Sequence, residues 1–199
     1  MINDIYSSKK VMADMEGFFE ENGFLQLGDF LSENFEEFRK TLEEEKLLEI
    51  YEPLFCKKKM LDLKNIFKLE LIKVIEFFKS KEFMNFVESI TEFDLILSKF
   101  EVNVYSHKDF IILNDETPRN ETISLIYDLS DEFSEFMGGM LTYTTKQEEV
   151  FYLEPAFNSL SLFYDPVEIM KYLKYLNNKC GDKKLVRIEM EFSITESNI

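Results

Sequence analysis

Histidine is almost absent from this chain of 199 residues, in which His107 is the only one. Cysteine is also scarce, and Cys56 and Cys180 lie far apart and outside any CxxC pair. These counts exclude a zinc finger and any metal site that needs two histidines from one chain. Because the two thiols form no recognisable motif, we expect both to be buried free cysteines in a reducing compartment.

Basic residues are few relative to acidic ones. There are 23 Lys and Arg residues against 39 Asp and Glu residues, which gives a formal net charge of -16. A surface this acidic repels phosphate backbones and anionic membranes, so we expect no direct binding to nucleic acid or membrane. Residues 1–10 lack the apolar core of a signal peptide, and no apolar run has the length of a membrane span. We therefore expect a cytoplasmic protein, or a nuclear one if the source is eukaryotic.

What is present has the composition of one globular domain, with 45% hydrophobic and 31% charged residues. Up to residue 100, apolar residues recur at steps of three and four, which predicts helices. The clearest stripe runs from Ile66 to Phe78 behind a candidate N-cap at Asp62, and Ser80 is predicted to cap the next helix. A further apolar stripe predicts a helix over 33–46, capped by Ser32. Short strands are predicted over 24–31, where apolar residues alternate, and over 48–55.

From about Phe100 the apolar period changes from that of a helix to that of a strand. The predicted strands cover 102–105, 110–113, 122–129, 140–144, 150–153, 159–163 and 185–192. Many short strands that follow helices favour a barrel or sandwich with the helices on one face. The sequence therefore predicts an α+β fold.

Four segments of the C-terminal half form an ordered set of motifs. They are Tyr105–Glu116 (YSHKDFIILNDE), Ile123–Tyr143, Leu153–Phe163 (LEPAFNSLSLF) and Arg187–Phe192 (RIEMEF). In order and spacing they resemble the 2-oxoglutarate- and Fe(II)-dependent oxygenases, in the prolyl 4-hydroxylase-like branch. The resemblance covers residues 22–193 and is closest to the type that hydroxylates a ribosomal protein.

This resemblance implies a double-stranded β-helix, or jelly-roll, with N-terminal helices packed on one sheet. It divides a single domain, 1–199, into mainly helical support with short strands (1–100), a jelly-roll core (101–193) and a tail (194–199). An unrelated jelly-roll interaction protein is the alternative. A strand order other than two four-stranded sheets would favour that alternative.

The resemblance also implies an iron site made of a His-x-Asp pair and a distal histidine. In the matching register the positions of the pair are Asn114 and Glu116, and the distal position is Lys171. Asparagine is a poor iron ligand, and a lysine ammonium has no lone pair for a metal. We therefore expect no iron or zinc there, and hypothesise that Lys171 pairs with Glu116 or with Asp115 in place of the metal. The alternative places Lys171 on a helix or loop that faces solvent.

His107-Lys108-Asp109 is itself an H-x-D string and offers a second register. The first register is preferred because Asp109-Phe110 matches the D-F pair that precedes the ligand histidine in the family. Since the sequence holds no second histidine, neither register completes a site with two histidines. A surface or strand-edge position is the other interpretation of His107.

Arg187 and Tyr105 match the co-substrate site of the family. The resemblance assigns Arg187 to the distal carboxylate of 2-oxoglutarate, through a bidentate pair, and Tyr105 to the same pocket. The alternatives are that Arg187 pairs with a nearby carboxylate of a remnant pocket and that Tyr105 packs in the core.

The implied function is a catalytically inactive oxygenase-like protein that serves as a protein-binding module. Its acidic surface suits a basic partner, such as a ribosomal protein. No cofactor is expected on this interpretation. The alternative is an active 2-oxoglutarate-dependent protein hydroxylase with atypical metal ligands, which requires Fe(II) and 2-oxoglutarate.

Overall fold

A computed structural model describes residues 1–112, 120–130, 133–145, 149–166 and 169–195. In these ranges the α-helices are α1 (Lys9–Asn22), α2 (Phe35–Glu43), α3 (Leu69–Phe78) and α4 (Lys81–Thr91). The strands are β1 (Phe24–Leu27), β2 (Leu48–Glu52), β3 (Cys56–Met60), β4 (Leu95–Tyr105), β5 (Phe110–Ile111), β6 (Thr122–Asp128), β7 (Leu141–Thr144), β8 (Glu149–Leu153), β9 (Ser159–Asp165), β10 (Met170–Leu173) and β11 (Leu185–Ile194).

The helix ends follow their local chemistry. The predicted cap at Ser80 is confirmed, because its hydroxyl accepts a hydrogen bond from the Phe83 amide at the start of α4. The cap predicted at Ser32 is wrong, since α2 starts only after Asn34. Asp62 is likewise no helix cap: its carboxylate accepts hydrogen bonds from the Lys64 amide and the Asn65 side chain in a turn well before α3.

The strand pairings of the described residues are antiparallel and form one continuous curled sheet, in which the predicted pair of four-stranded sheets is recognised. In the larger sheet β11 pairs with β4 and β6, and β6 pairs with β9. In the smaller sheet β10 pairs with β5 and β7, and β7 pairs with β8. Strand β3 pairs with both β4 and β5 and so links the sheets, while β1 extends the larger sheet beside β9. This strand order is that of a double-stranded β-helix, and the predicted fold is confirmed.

The jelly-roll begins earlier than predicted, because β4 starts at Leu95 and not near residue 101. Strand β11 also continues to Ile194, where a tail was expected. Strand β10 was not predicted at all. Its four residues, Met-Lys-Tyr-Leu, show no alternation of apolar and polar side chains, so their pairing with β7 sets their conformation.

The helices pack on the outer face of the larger sheet, as predicted. One apolar cluster joins helix residues such as Phe78 and Phe83 to outward-facing strand residues such as Tyr127 and Ile188. The rings of Phe78 and Tyr127 lie 5.0 Å apart, which ties α3 to β6. This cluster buries the apolar side of each central strand, so the polar side faces the space between the sheets.

None of the helices in the described ranges has the length and hydropathy that a bilayer-crossing helix requires.

Both cysteines are free, as expected, but only Cys180 is buried. Cys56 lies half-exposed at the start of β3, so the expectation of two buried thiols is wrong for this residue.

Candidate functional site

A cavity of about 480 Å³ opens between the two sheets. Its apolar wall comes mainly from Ile111, Ile126, Leu141 and Ile169. Its polar wall consists of the inward-facing charged and hydroxyl side chains of the central strands and of β3 and β10. The cavity between the sheets thus has a mixed lining of apolar and charged side chains, and the resemblance places the metal and co-substrate in this part of the fold.

Lys171 reaches this cavity from the middle of β10, where it lies opposite Tyr143 of β7. Its ammonium donates to Asp165 Oδ2 at 2.9 Å and to Ser124 Oγ at 2.7 Å, and the Ser124 hydroxyl donates to the same carboxylate. The solvent-facing alternative for Lys171 is therefore wrong. Glu116 lies outside the described residues, so its predicted pairing with Lys171 stays a prediction.

Two more residues of the predicted site also lie outside the described ranges. They are Asn114, at the first position of the iron-ligand pair, and Asp115, the other predicted partner of Lys171. What the structure supplies instead is Asp165, the last residue of β9. The alternation of β9 turns Phe163 and Asp165 toward the cavity, while Leu162 and Tyr164 pack beneath the helices. Asp165 is 7% exposed, and its Oδ1 atom is buried with no hydrogen-bond partner in the described part of the chain.

Arg187 lies deeper, on β11 directly opposite Asp128 of β6. Its Nε donates to Asp128 Oδ2 at 2.8 Å, and both side chains are almost fully buried. Burial raises the pKa of Asp128, although Arg187 and the Ser130 amide both act to lower it. The structure therefore shows Arg187 paired with a protein carboxylate. Its role toward 2-oxoglutarate stays a prediction.

Tyr105, at the end of β4, is also fully buried and points into the barrel. Its hydroxyl donates to Glu189 Oε1 at 2.7 Å. Burial, followed by the nearby Glu189 carboxylate, raises the pKa of Tyr105 well above its usual value. Tyr105 is therefore a neutral hydrogen-bond donor at physiological pH and does more than pack in the core.

Glu101 on β4 forms ion pairs with Lys58 and Lys99, two lysines that line the cavity. Its carboxylate lies 2.7 Å from Lys58 Nζ and 3.3 Å from Lys99 Nζ, and it accepts a hydrogen bond from the Asn103 amide. Burial alone would raise the pKa of Glu101, but these groups together bring the pKa below its usual value. One carboxylate thus contacts both lysines.

We expect the Glu101→Gln variant to lose about 1.5–3 kcal/mol of unfolding free energy at pH 7, the scale of a hydrogen bond to a charged group. Because the folded-state pKa is lowered, the contribution of Glu101 is present above its ordinary pKa of 4.5 and is lost as the pH falls through the folded-state pKa. Urea denaturation at pH 7 and pH 3 measures this. Glu49→Gln, on the exposed face of β2, is the matched control and should change stability little at either pH.

The His107-Lys108-Asp109 string is a surface turn and not a metal-binding pair. His107 is exposed, with its ring 6.4 Å from that of Tyr175. Asp109 turns inward, where it accepts a hydrogen bond from the Ser106 amide and lies 3.7 Å from Lys57 Nζ. Across the described ranges, three or more His, Cys, Asp or Glu side chains nowhere come together in a metal-binding arrangement.

The donors that the structure describes do not fit the iron that the resemblance implies. At the distal position a histidine nitrogen would offer a lone pair, whereas the Lys171 ammonium is a cation held by Asp165. A ferrous ion would have to share this site with that positive charge, which repels it. No catalytic step through iron follows from these residues.

Sequence reasoning missed several residues of this polar cluster, above all Asp165, Ser124, Asp128 and Glu189. The signal was present in the RIEMEF segment, where Arg187, Glu189 and Glu191 alternate with apolar residues. Alternation is usually taken to mean that the polar side faces water. Here the helices cover the apolar side, so the polar side forms the interior of the barrel.

Comparisons with known proteins agree with this geometry. Residues 55–198 match the family described as oxoglutarate and iron-dependent oxygenase degradation C-term. No curated protein sequence shows a significant match.

Among solved structures, a Pseudomonas putida prolyl-4-hydroxylase is 14% identical with a TM-score of 0.64, covering 92% of this chain and 99% of that one. A Trichoplax adhaerens prolyl hydroxylase, solved with a peptide fragment of the hypoxia inducible factor oxygen degradation domain, is 14% identical with a TM-score of 0.69. The alignment covers 95% of this chain and 91% of that one. A Burkholderia pseudomallei oxidoreductase of the 2-oxoglutarate-Fe(II) oxygenase family is 12% identical with a TM-score of 0.66, covering 94% and 92%.

The structural likeness confirms the fold of the prolyl hydroxylase-like enzymes, and the match over most of the chain assigns the family. The closer resemblance to the ribosomal type stays a prediction. With its motifs, its strand order and its matched residues in agreement, the chain belongs to the family of oxoglutarate and iron-dependent oxygenase degradation C-terminal domains.

Proposed function

We propose that this chain is a non-catalytic member of the oxygenase family that serves as a protein-binding module. The observation that carries the proposal is the pair of Lys171 and Asp165, 2.9 Å apart. The sequence resemblance assigns Lys171 to the position of the distal iron ligand. A lysine that is held there as a cation removes one ligand and adds a repulsive charge. Without iron, 2-oxoglutarate loses its metal chelation. Arg187 uses its Nε to bond Asp128, while its Nη2 is buried without a hydrogen-bond partner in the described part of the chain.

A basic protein is the partner that the charge of the chain favours. A net charge of -16 attracts basic surfaces over long range and repels acidic ones. The Trichoplax adhaerens relative, which was solved with a peptide, supports peptide binding as a capacity of this fold. The family description names degradation, a process in which a protein must be recognised. A ribosomal protein is one basic partner that fits.

The test of catalysis is oxygen-dependent succinate release. We expect the purified chain with Fe(II), 2-oxoglutarate and ascorbate to release no more succinate than a sample without protein. Metal analysis of protein prepared without chelators should give well below one equivalent of iron or zinc. The Pseudomonas putida prolyl-4-hydroxylase is the positive control for the reagents.

Steady succinate release above the control would contradict the proposal. It would establish the alternative, an active 2-oxoglutarate-dependent protein hydroxylase with atypical ligands. A stoichiometric transition metal would contradict the structural argument on Lys171 even without turnover.

A further inference from the structure

Strand β2 lies at an open edge of the sheet. Among the described residues it pairs with β3 alone, so the backbone N–H and C=O groups that point away from β3 have no strand partner. Four of its five side chains are exposed. An exposed edge of this kind is a template for a further strand.

The two ends of the strand order do not offer the same opportunity. The order begins with β1 and ends with β8, and the Phe24 ring of β1 lies 5.3 Å from the Phe151 ring of β8. These two edges therefore lie side by side, and each limits the access of a further strand to the other. Strand β2, by contrast, is exposed along its length.

The turn that follows β2 exposes apolar side chains. The Phe55 amide donates to the Glu52 carbonyl, so Pro53 and Leu54 are the central residues of a tight turn. Leu54 has a φ of 72°, which glycine adopts more readily, and its side chain is 78% exposed. Phe55 is exposed as well. Because a strained backbone that exposes a leucine adds nothing to the core, this turn indicates a contact with another molecule.

The start of β2 is apolar and exposed in the same way. Leu48, its first residue, is exposed. The turn before it contains two glutamates that pair with Lys68 Nζ, at 2.9 and 3.4 Å. The neighbours of Lys68 on both sides, Phe67 and Leu69, are exposed too. The edge strand thus has exposed apolar residues at both of its ends.

The hairpin of β2 and β3 differs in charge from the rest of the chain. Residues 48–60 contain two glutamates and three lysines, whereas the whole chain has a net charge of -16. Glu49 already lies opposite Lys59 in the strand register, so a basic strand gains little at this edge. Two copies of this hairpin approach each other with less repulsion than two acidic faces of the chain would. The charge pattern therefore favours a second copy of the chain at this edge.

We propose that β2 pairs with β2 of a second copy of this chain, in an antiparallel dimer whose two-fold axis passes through Ile50. In this register Glu49 faces Tyr51 of the other copy, and Leu48 faces Glu52 of the other copy. All five residues are paired, and no two carboxylates face each other directly. An axis through Glu49 would oppose the two Glu49 side chains, and an axis through Tyr51 would leave Leu48 and Glu49 unpaired.

The same two-fold rotation brings the apolar ends of the strands together. In an antiparallel pair the end of one strand lies beside the start of the other. The turn with Leu54 and Phe55 therefore lies beside Leu48 and the exposed 67–69 segment of the other copy. Symmetry repeats this contact, so apolar residues are buried at both ends of the paired strands. The inference goes beyond the proposed function and does not depend on whether the chain has catalytic activity.

Sedimentation velocity of the full chain, from about 2 to about 200 µM in about 150 mM salt, tests for the dimer. We expect a reversible shift from monomer to dimer as the concentration rises, because one paired edge with two apolar contacts is a small interface. Hydrogen exchange measured by mass spectrometry should become slower for the amides of residues 48–52 at the high concentration. The amides of β11, in the centre of the larger sheet, are the internal control and should not change.

Opposite charges introduced at position 51 test the register. Tyr51→Lys places an ammonium opposite Glu49 of the other copy, and Tyr51→Glu places a second carboxylate there. We expect the lysine variant to dimerise at least about tenfold more tightly than the glutamate variant, a ratio that corresponds to about 1.4 kcal/mol. Tyr51 is 61% exposed, so both variants should fold, which circular dichroism checks.

Ile96→Lys and Ile96→Glu are the matched controls. Ile96 is also an exposed side chain on a strand, and the two substitutions differ in net charge by the same amount. Because Ile96 lies opposite Ser193 within the sheet and away from the open edge, the dissociation constants of these two variants should differ less than about twofold.

Three results would each overturn the inference: a monomer at every concentration, a dimer whose 48–52 amides exchange as fast as in the monomer, or equal affinities of the two variants at position 51. A difference between the Ile96 variants as large as that between the Tyr51 variants would also overturn it, because net charge alone would then explain the effect.

Discussion

Replacing Arg187 with methionine is expected to lower the unfolding free energy by about 3–5 kcal/mol at pH 7, the cost of breaking a buried ion pair from one side. Arg187 is fully buried and its only described ion pair is with Asp128, which is 2% exposed. The variant leaves that carboxylate without its cation in a site that water does not reach. Since domains are stable by only about 5–15 kcal/mol, urea denaturation followed by circular dichroism should show a large fall in the midpoint.

The loss should depend on pH in a specific direction. Burial already raises the pKa of Asp128, and removal of Arg187 raises it further. A carboxyl group whose folded-state pKa is raised contributes stability below its unfolded-state pKa and loses it as the pH rises through the folded-state pKa. The Arg187→Met variant should therefore be closer to the parent protein at pH 5 than at pH 8.

The matched control is the Asp128→Asn/Arg187→Met double variant, which removes both charges and keeps similar volumes. It should recover part of the lost stability and lose the added pH dependence. A cost below about 1 kcal/mol for Arg187→Met, or a cost that is equal at pH 5 and pH 8, would contradict the inferred burial of the pair.

The parts of the fold that could be predicted from sequence are those fixed by local patterns. The apolar stripe and the Ser80 cap marked α4, and the alternation in RIEMEF marked β11. In each case neighbouring residues of one element carry the signal, because burial of one face selects the period.

The parts that could not be predicted depend on pairing across the molecule. Strand β10 owes its conformation to β5 and β7, which lie far away in sequence. For the same reason the Asp165 partner of Lys171 was not foreseen, although only a short stretch of chain separates the two. Their contact depends on β9 and β10 facing each other from opposite sheets, and no local pattern encodes that arrangement.

Burial of the site was also misjudged, for a physical reason. The sequence rule that polar residues face water holds for a sheet with one covered face. In this chain both faces of β11 are covered, one by helices and one by the smaller sheet. Arg187 is thus fully buried on the polar side of the strand.

The second large effect is expected for Lys171→Met, which should lower the unfolding free energy by about 2–4 kcal/mol. The variant leaves Asp165 without its cation, and methionine fills a similar volume without a charge. The cost is smaller than for Arg187 because the Lys171 side chain is 26% exposed, so solvent screens part of the interaction. Lys174→Met, just beyond β10 and exposed, is the control and should change stability by less than about 0.5 kcal/mol.

A pair of double-mutant cycles then identifies the carboxylate that Lys171 neutralises. Combined with Lys171→Met, the Asp165→Asn substitution removes the orphaned charge and should recover most of the loss, with a coupling energy of about 1–3 kcal/mol. The parallel cycle with Glu116→Gln tests the pairing that the iron-site register predicts. Strong coupling to Asp165 alone would show that the partner of Lys171 is the carboxylate at the end of β9 and not the one that the iron-site register predicts. Strong coupling to Glu116 alone would contradict the contact between Lys171 Nζ and Asp165 Oδ2. Coupling to both residues would show that Lys171 is the shared counter-ion of two carboxylates.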